Sequence, residues 1–235
     1  MKPNLPSRVV AGRLAYFAPE LPATSATFVY QELLAIERRG YWVLPVTLRK
    51  PESPAVGHES LAARTVCLRG MWQWKSILNG LLTLCSGRLN VILAFKHLLH
   101  DLSVVSVLDV RFYKLIFNFI ESARLATMIL DYKCCHIHVH FAHVPAQIGM
   151  YSAALAGIPF TVTAHANDIF VRNFLLLEKA RRSAKFLTVS KYNIEYLRKF
   201  RLPEEKLGVV RCGVSLPSPA KWPVANVKSA YRIGT

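Results

Sequence analysis

The spacing of apolar positions changes period repeatedly along this chain, and each change marks a predicted element. Val9 to Phe17 is a short, mostly apolar run that ends at Pro19 and predicts a first strand. Pro19 to Ser25 reads as a loop. It leads into Thr27 to Arg39, where Phe28, Leu33, Leu34 and Ile36 recur at helical spacing and Gly40 stops the helix. Tyr41 to Leu48 predicts a second strand, so the chain opens on a βαβ unit.

Lys50 to Val66 carries two prolines and reads as loop, followed by a short apolar piece ending near Leu68. Met71 to Leu130 is helical in pattern, with breaks at Ser86-Gly87 and around Asp101 to Ser106. His138-Val139-His140-Phe141-Ala142 and Phe160 to Ala164 predict two strands, joined by a small-residue helix and the turn Gly157-Ile158-Pro159. Arg172 to Phe186 reads as a basic helix, Phe186 to Ser190 as a strand, Tyr192 to Phe200 as a helix, and Leu207 to Arg211 as a last strand ending at Cys212-Gly213. This alternation predicts an α/β fold, a mostly parallel sheet with right-handed crossovers flanked by helices. The tail Ser218 to Thr235 has no periodicity and reads as linker.

At 235 residues and 52% hydrophobic, the chain has ample material for one sizeable core, which excludes a disordered protein. Thirty Lys and Arg against 14 Asp and Glu give a formal charge of +16 and point to an anionic partner. A nucleic-acid role gains only from that charge, because no helix-turn-helix, zinc-finger or RNA-binding signature is present. Five cysteines, an odd number including the pair Cys134-Cys135, suit a reducing compartment, and no apolar signal segment follows Arg8 and Arg13. A cytoplasmic location is expected.

Residues 134 to 167 hold no Asp, Glu, Lys or Arg, yet four histidines fall in the first ten positions and a Gly-Ile-Pro break follows. A buried strand-helix-strand unit explains this better than a membrane span, which needs roughly 20 continuous apolar residues. With Arg69 just ahead of it, the helical section carries seven basic residues (Arg69, Lys75, Arg88, Lys96, Arg111, Lys114, Arg124) against three acidic ones, interleaved with Trp72, Trp74, Phe95, Phe112, Phe117 and Phe119. That pattern fits helices packed on a core with a solvated charged face, and it also fits helices lying on an anionic bilayer.

Polar residues just past the carboxyl ends of parallel strands are the natural candidates for chemistry. His165 follows the strand Phe160 to Ala164 and is the first candidate. Asp168 fits two roles, orienting His165 or a substrate hydroxyl, or capping a turn. Thr24, Ser25 and Thr27 lie in the first βα loop, beside a helix amino terminus that favours phosphate or carboxylate. Lys191, Tyr192 and Asn193 follow another strand end, where lining a cleft and capping a helix are equally good readings. His136, His138 and His140 share one strand face at period 2, with His143 next. A metal centre is not expected there, because no carboxylate ligand stands between Cys135 and Asn167.

Several of these segments together resemble a known family: Phe28 to Glu32, His138 to Ala142, Gly157 to Phe170, Val189 to Asn193, and Val209 to Val214. In order and spacing they are similar to retaining GT-B glycosyltransferases of family 4, the large bacterial group that includes colanic-acid and exopolysaccharide biosynthesis enzymes. The resemblance runs from about Ala15 to Gly213. It implies a Rossmann-like domain that holds the acceptor, half of a two-domain enzyme whose other half holds most of the sugar-nucleotide donor. The expected organisation is an N-terminal domain over residues 1–216, with 217–235 a truncated linker and no donor domain in the chain.

The resemblance further implies hexosyl transfer from a sugar nucleotide to an envelope or exopolysaccharide glycan, free or lipid-linked, with no other cofactor. Without a donor half, supplied by a separate chain or otherwise, the chain is expected to be inactive. A peripheral position at the inner face of an anionic membrane is expected, the alternative being a non-catalytic module that holds membrane or acidic glycan. His165 is placed as the catalytic residue meeting the transferred sugar or an acceptor hydroxyl, and His140 joins the substrate-binding set. Many relatives carry Gly-Gly in the first loop where this chain has Pro22-Ala23-Thr24-Ser25, so hydroxyl contact is expected to substitute for close backbone approach.

Overall fold

The computed structural model describes residues 12–53, 55–69, 73–87 and 89–213. In chain order it holds β1 (Arg13–Glu20), α1 (Thr27–Arg38), β2 (Trp42–Arg49), α2 (Glu59–Arg64), β3 (Val66–Cys67), α3 (Gln73–Leu84), α4 (Val91–Ser103), α5 (Val110–Asp131) and β4 (His136–His140). There follow α6 (Val144–Ala156), β5 (Phe160–Ala164), α7 (Ala166–Phe170), α8 (Leu176–Arg182), β6 (Lys185–Thr188), α9 (Lys191–Arg198) and β7 (Leu207–Val209). The strands form one seven-stranded parallel sheet in the order β3-β2-β1-β4-β5-β6-β7. The α/β Rossmann-like architecture expected from the alternation is the one observed.

Strand alternation sorts side chains into two layers. Ala15, Phe17, Leu44, Val46, Ile137, Val139, Val162, Ala164 and Phe186 face the larger core, closed by α4, α5, α6, α8 and α9. Tyr16, Ala18 and Val43 face the smaller one, closed by Val29, Tyr30 and Leu33 of α1 and Leu61 of α2. Burial of each such aliphatic or aromatic side chain contributes about 1.5–3 kcal/mol. Helix α6 is buried on nearly every side, from Pro145 to Leu155, and its Gly149 lies so close to β4 that a Cβ there would meet Val139 Cγ2 at 2.6 Å. This enclosed helix is why residues 134 to 167 lack charge. No helix among the described residues is long and apolar enough to cross a membrane.

Several boundaries differ from the sequence reading. The first strand runs on through Pro19 to Glu20, because β4 pairs with β1 only as far as Phe17, so Pro19 lies where β4 makes no ladder to interrupt. Val9 to Ala11, Met71, Trp72 and the tail Ser218 to Thr235 lie outside the described residues. The loop expected over Lys50 to Val66 contains α2, whose one buried apolar residue is Leu61, too little for a periodic signal. Of the basic helix expected over Arg172 to Phe186 only α8 is observed, beginning after Leu175, which adopts φ 54 and cannot continue a right-handed helix; the separate short helix α7 ends before Arg172. Strand β6 consequently starts at Lys185.

Candidate functional site

Strand order reverses between β1 and β4, and in an open parallel sheet the crevice at such a reversal is where ligands bind. Tyr16 from β1 and His138 and His140 from β4 meet there on the α1 side. Helix α1 contributes Glu32, whose Oε1 and Oε2 lie 3.5 Å from His138 Nε2 and 3.5 Å from His140 Nε2. Phe28, one helical turn earlier, brings its ring 4.8 Å from that of His165, and Phe141 flanks the same imidazole at 4.6 Å. From Glu32 the cleft, about 400 Å³, extends along Phe28 and Ile36 to Val210–Gly213 after β7.

The hydrogen bonds set the direction of the protons. Tyr16 Oη donates to Val29 O at 3.0 Å, which commits its one proton. Its 2.6 Å contact with His140 Nε2 is then a bond that the imidazole donates. With the proton on Nε2, His140 Nδ1 is an acceptor, and it faces His165 Nε2 at 3.4 Å. His165 therefore donates from Nε2, and its side chain accepts in turn from the backbone N–H of Asp168 in a capping box at the start of α7. Burial, then the neighbouring His140, lowers the His165 pKa to about 4, so the ring is neutral at pH 7. A neutral imidazole can orient a substrate hydroxyl and accept its proton where that hydroxyl displaces the Asp168 N–H.

Burial pulls the Glu32 carboxyl up, but the facing His140, His138 and Tyr16 hold it below its ordinary value, so it is ionised. Burial, then the charge of Glu32, raises the Tyr16 hydroxyl well above its ordinary value. His138 is held by Thr161 Oγ1 on Nδ1 at 2.7 Å and by Thr163 Oγ1 near Nε2 at 3.2 Å, and burial lowers its pKa to about 3. Glu32, His138 and His140 offer donor atoms within 4.8 Å of one another, a set able to hold a divalent ion. The carboxylate that the strand segment lacked in sequence comes from α1. His140 Nε2 is nonetheless bonded to Tyr16, so the cluster also closes on hydrogen bonds alone.

A second group of bonds sets the loops that carry His165. Asp168 is 0% exposed, and its Oδ2 accepts from His165 N at 3.0 Å and from Ala142 N at 2.9 Å. That one oxygen ties the β5–α7 turn to the β4–α6 turn. Burial raises the Asp168 pKa, opposed by those two amides, and its Oδ1 has no hydrogen-bond partner among the described residues. Lys179 Nζ donates to Ala142 O at 2.7 Å and to Phe174 O at 2.8 Å.

The other expected residues fall into two groups. Ser25 is exposed in the first βα loop, as is Thr24, whose Oγ1 donates to Ser53 O at 2.9 Å; Thr27 is exposed as the first residue of α1, and Ala26, with no side-chain oxygen, is the N-cap. Lys191 and Tyr192 are exposed on the first turn of α9. Asn193 is buried, its N donating to Ser190 Oγ and its Nδ2 to Thr188 Oγ1, so it braces the helix start and does not line a cleft. Asp168 takes the capping and orienting role, and His140, 1% exposed, is enclosed by Tyr16, Glu32 and His165. Sequence reasoning missed Tyr16, Glu32 and Lys179. Glu32 stands one turn from Phe28 on the helix after the first strand, the only local signal that it faces the strand ends.

A family model described as Glycosyltransferase Family 4 matches residues 25–217. No curated protein matches the chain. Among solved structures it is similar to the UDP-GlcNAc 2-epimerase from Methanocaldococcus jannaschii, with 11% sequence identity and a TM-score of 0.46. The overlap covers 84% of this chain and 45% of that chain, so the protein spans about half the length of that enzyme.

Proposed function

Because the chain belongs to Glycosyltransferase Family 4, we propose that it is the acceptor-binding half of a retaining enzyme that moves a hexosyl group from a sugar nucleotide to an envelope or exopolysaccharide glycan. The single observation that supports this most is the neutral imidazole of His165 at the strand-order reversal. Its Nε2 is engaged by His140 and its side chain accepts from Asp168 N, which fixes the ring beside Phe28 and Phe141. An acceptor or donor hydroxyl that displaces the Asp168 N–H from the ring is oriented there, and its proton has a place to go. Glu32 acts behind it, favouring the Nε2 proton on His140 and hence the Nε2 proton on His165.

Departure of a nucleoside diphosphate needs donors aimed at the developing charge. Those donors are assigned to a partner half, supplied in the same or a separate chain, and residues 12–213 supply the acceptor side. The test joins residues 1–216 to the donor domain of a relative and follows product mass and anomeric configuration with a panel of sugar nucleotides. Transfer with retention by the fusion, and none by the unfused chain, is expected. Turnover by the unfused chain, or an inert but folded fusion, would overturn the reading.

A peripheral place at the inner face of an anionic membrane is the second part of the proposal. The observation favouring it is the outer surface of α3, α4 and the start of α5, where Leu82, Ile92, Leu99, Leu108 and Val110 are exposed near Lys96, Arg111 and Lys114. Binding to anionic vesicles, weakening as salt rises toward about 0.5 M, is expected. Equal binding to neutral vesicles, or none to either, would remove this part and with it the alternative of a membrane-holding module.

A further inference from the structure

A second cavity, of about 170 Å³, opens on the other side of the strand ends, between the first turns of α5 and α6 and the connection from α7 to α8. Arg111, Lys114, Arg172 and Lys179 line it, and no carboxylate does. Arg111 is neutralised by Asp109 at 2.5 Å. Lys114 and Arg172 are exposed and make no ion pair or side-chain hydrogen bond among the described residues. Two cations therefore stand at the mouth with no direct ion pair, Lys114 within electrostatic reach of Asp109 and Arg172 within that of Asp168.

At the bottom sits Lys179, 1% exposed. It has three N–H donors and uses two, on Ala142 O and Phe174 O, leaving the third for the cavity. Burial lowers its pKa to about 8, partly opposed by Asp168 and Asp101, so the ammonium is still largely charged at pH 7. A buried cation with an unspent donor facing an acid-free hollow is an arrangement that an oxyanion completes. The planar Arg172 fork suits two oxygens of one phosphate, and the first-turn amides of α5 and α6 add favourable dipoles.

We propose that this cavity binds the phosphate or diphosphate group of a substrate on the acceptor side. This rests on the glycosyl-transfer reading above. The cavity wall of Leu115, Val144 and Phe174 is apolar, and Leu108, Val110 and Tyr113 are exposed on the same helix start. A phosphate carried on a lipid and a free phosphate share the chemistry at the cations but differ at this wall. An anion seated there also bears on the reacting group. Lys179 holds the Ala142 carbonyl, and the Ala142 amide shares Asp168 Oδ2 with the amide of His165.

The test is calorimetric titration of the full chain at low salt with inorganic pyrophosphate, a short-chain prenyl diphosphate and the matching prenyl alcohol. Pyrophosphate is expected to bind, and the paired change Lys114→Glu with Arg172→Glu to weaken it by about tenfold or more, the scale of lost charge-assisted bonds. Lys199→Glu, which removes the same kind of charge elsewhere, is expected to leave affinity unchanged. A prenyl diphosphate binding tenfold tighter than pyrophosphate identifies a lipid-borne phosphate, and equal affinities identify a free one. Silence toward pyrophosphate at about 10 mM, wild-type affinity in the folded double variant, or an alcohol that binds as well as the diphosphate would overturn the proposal. No sugar transfer is measured, so failure here is separate from failure of the fused enzyme.

Discussion

The two faces of strand β4 differ more than any other neighbouring regions of the molecule. Toward α6 it presents Ile137 and Val139, both 0% exposed and surrounded by the large core. Toward α1 it presents His136, His138 and His140, each bonded to Thr161, Tyr16 or a neighbouring ring. An apolar face gains free energy from contact alone, whereas a buried polar face repays its desolvation only where every group finds a partner. The first fixes where the strand lies, and the second spends that fixed position on chemistry.

The sharpest way to separate the faces is to delete one side chain from each. Ile137→Ala is expected to lower unfolding free energy by about 2–5 kcal/mol, read from urea denaturation, while turnover per folded molecule in the fused enzyme holds. His165→Ala is expected to do the converse, lowering turnover by about 10² or more with little change in stability. If Ile137→Ala lost turnover without losing stability, the division of labour would be wrong.

Glu32→Gln probes the polar side more finely. It keeps the shape and removes the charge that favours the Nε2 proton of His140, so turnover in the fused enzyme is expected to fall about tenfold with the fold intact. An unchanged rate would leave Glu32 a structural partner only.

Acid gives the smallest effect, read as a slope. His138 is held at about 3 and His165 and His143 at about 4, all lowered chiefly by burial. A lowered histidine contributes stability that is present above the unfolded value near 6.5 and is lost as pH falls toward the folded value. Each adds at most about 1.4 kcal/mol per pH unit in that window. Asp168, raised by burial, has the opposite sign, since its contribution is lost as pH rises through its folded value. The melting temperature is expected to fall between pH 6.5 and 4, and His138→Asn to flatten that fall. An Ile137→Ala profile flatter than that of His138→Asn would break the comparison.

The apolar face was legible in the sequence and the polar one only in part. Alternation over His138 to Ala142, the stop at Gly157 and the run Phe160 to Ala164 are local signals, and they led directly to β4, α6 and β5. His165 and Asp168 were singled out because they follow a strand end, where parallel sheets place their ligands. Glu32 and Tyr16 were not, because their relation to His140 spans more than a hundred residues and is made only when β1 pairs with β4 and α1 crosses the sheet. Asn193 and Asp168 were placed near substrate because an Asn or Asp that caps a helix and one that meets a ligand look alike in sequence. Only their burial separates the two.

Gly149 has a consequence for the opposite side of the sheet. Its absent side chain leaves a notch on α6 into which the Val139 methyl fits. Sliding β4 by one residue would turn a histidine into that notch and send Val139 outward. The notch therefore works as a gauge that admits one of the strand's two alternating sets. By refusing the other, a hydrogen atom in place of a methyl group on one side holds three imidazoles in order on the other.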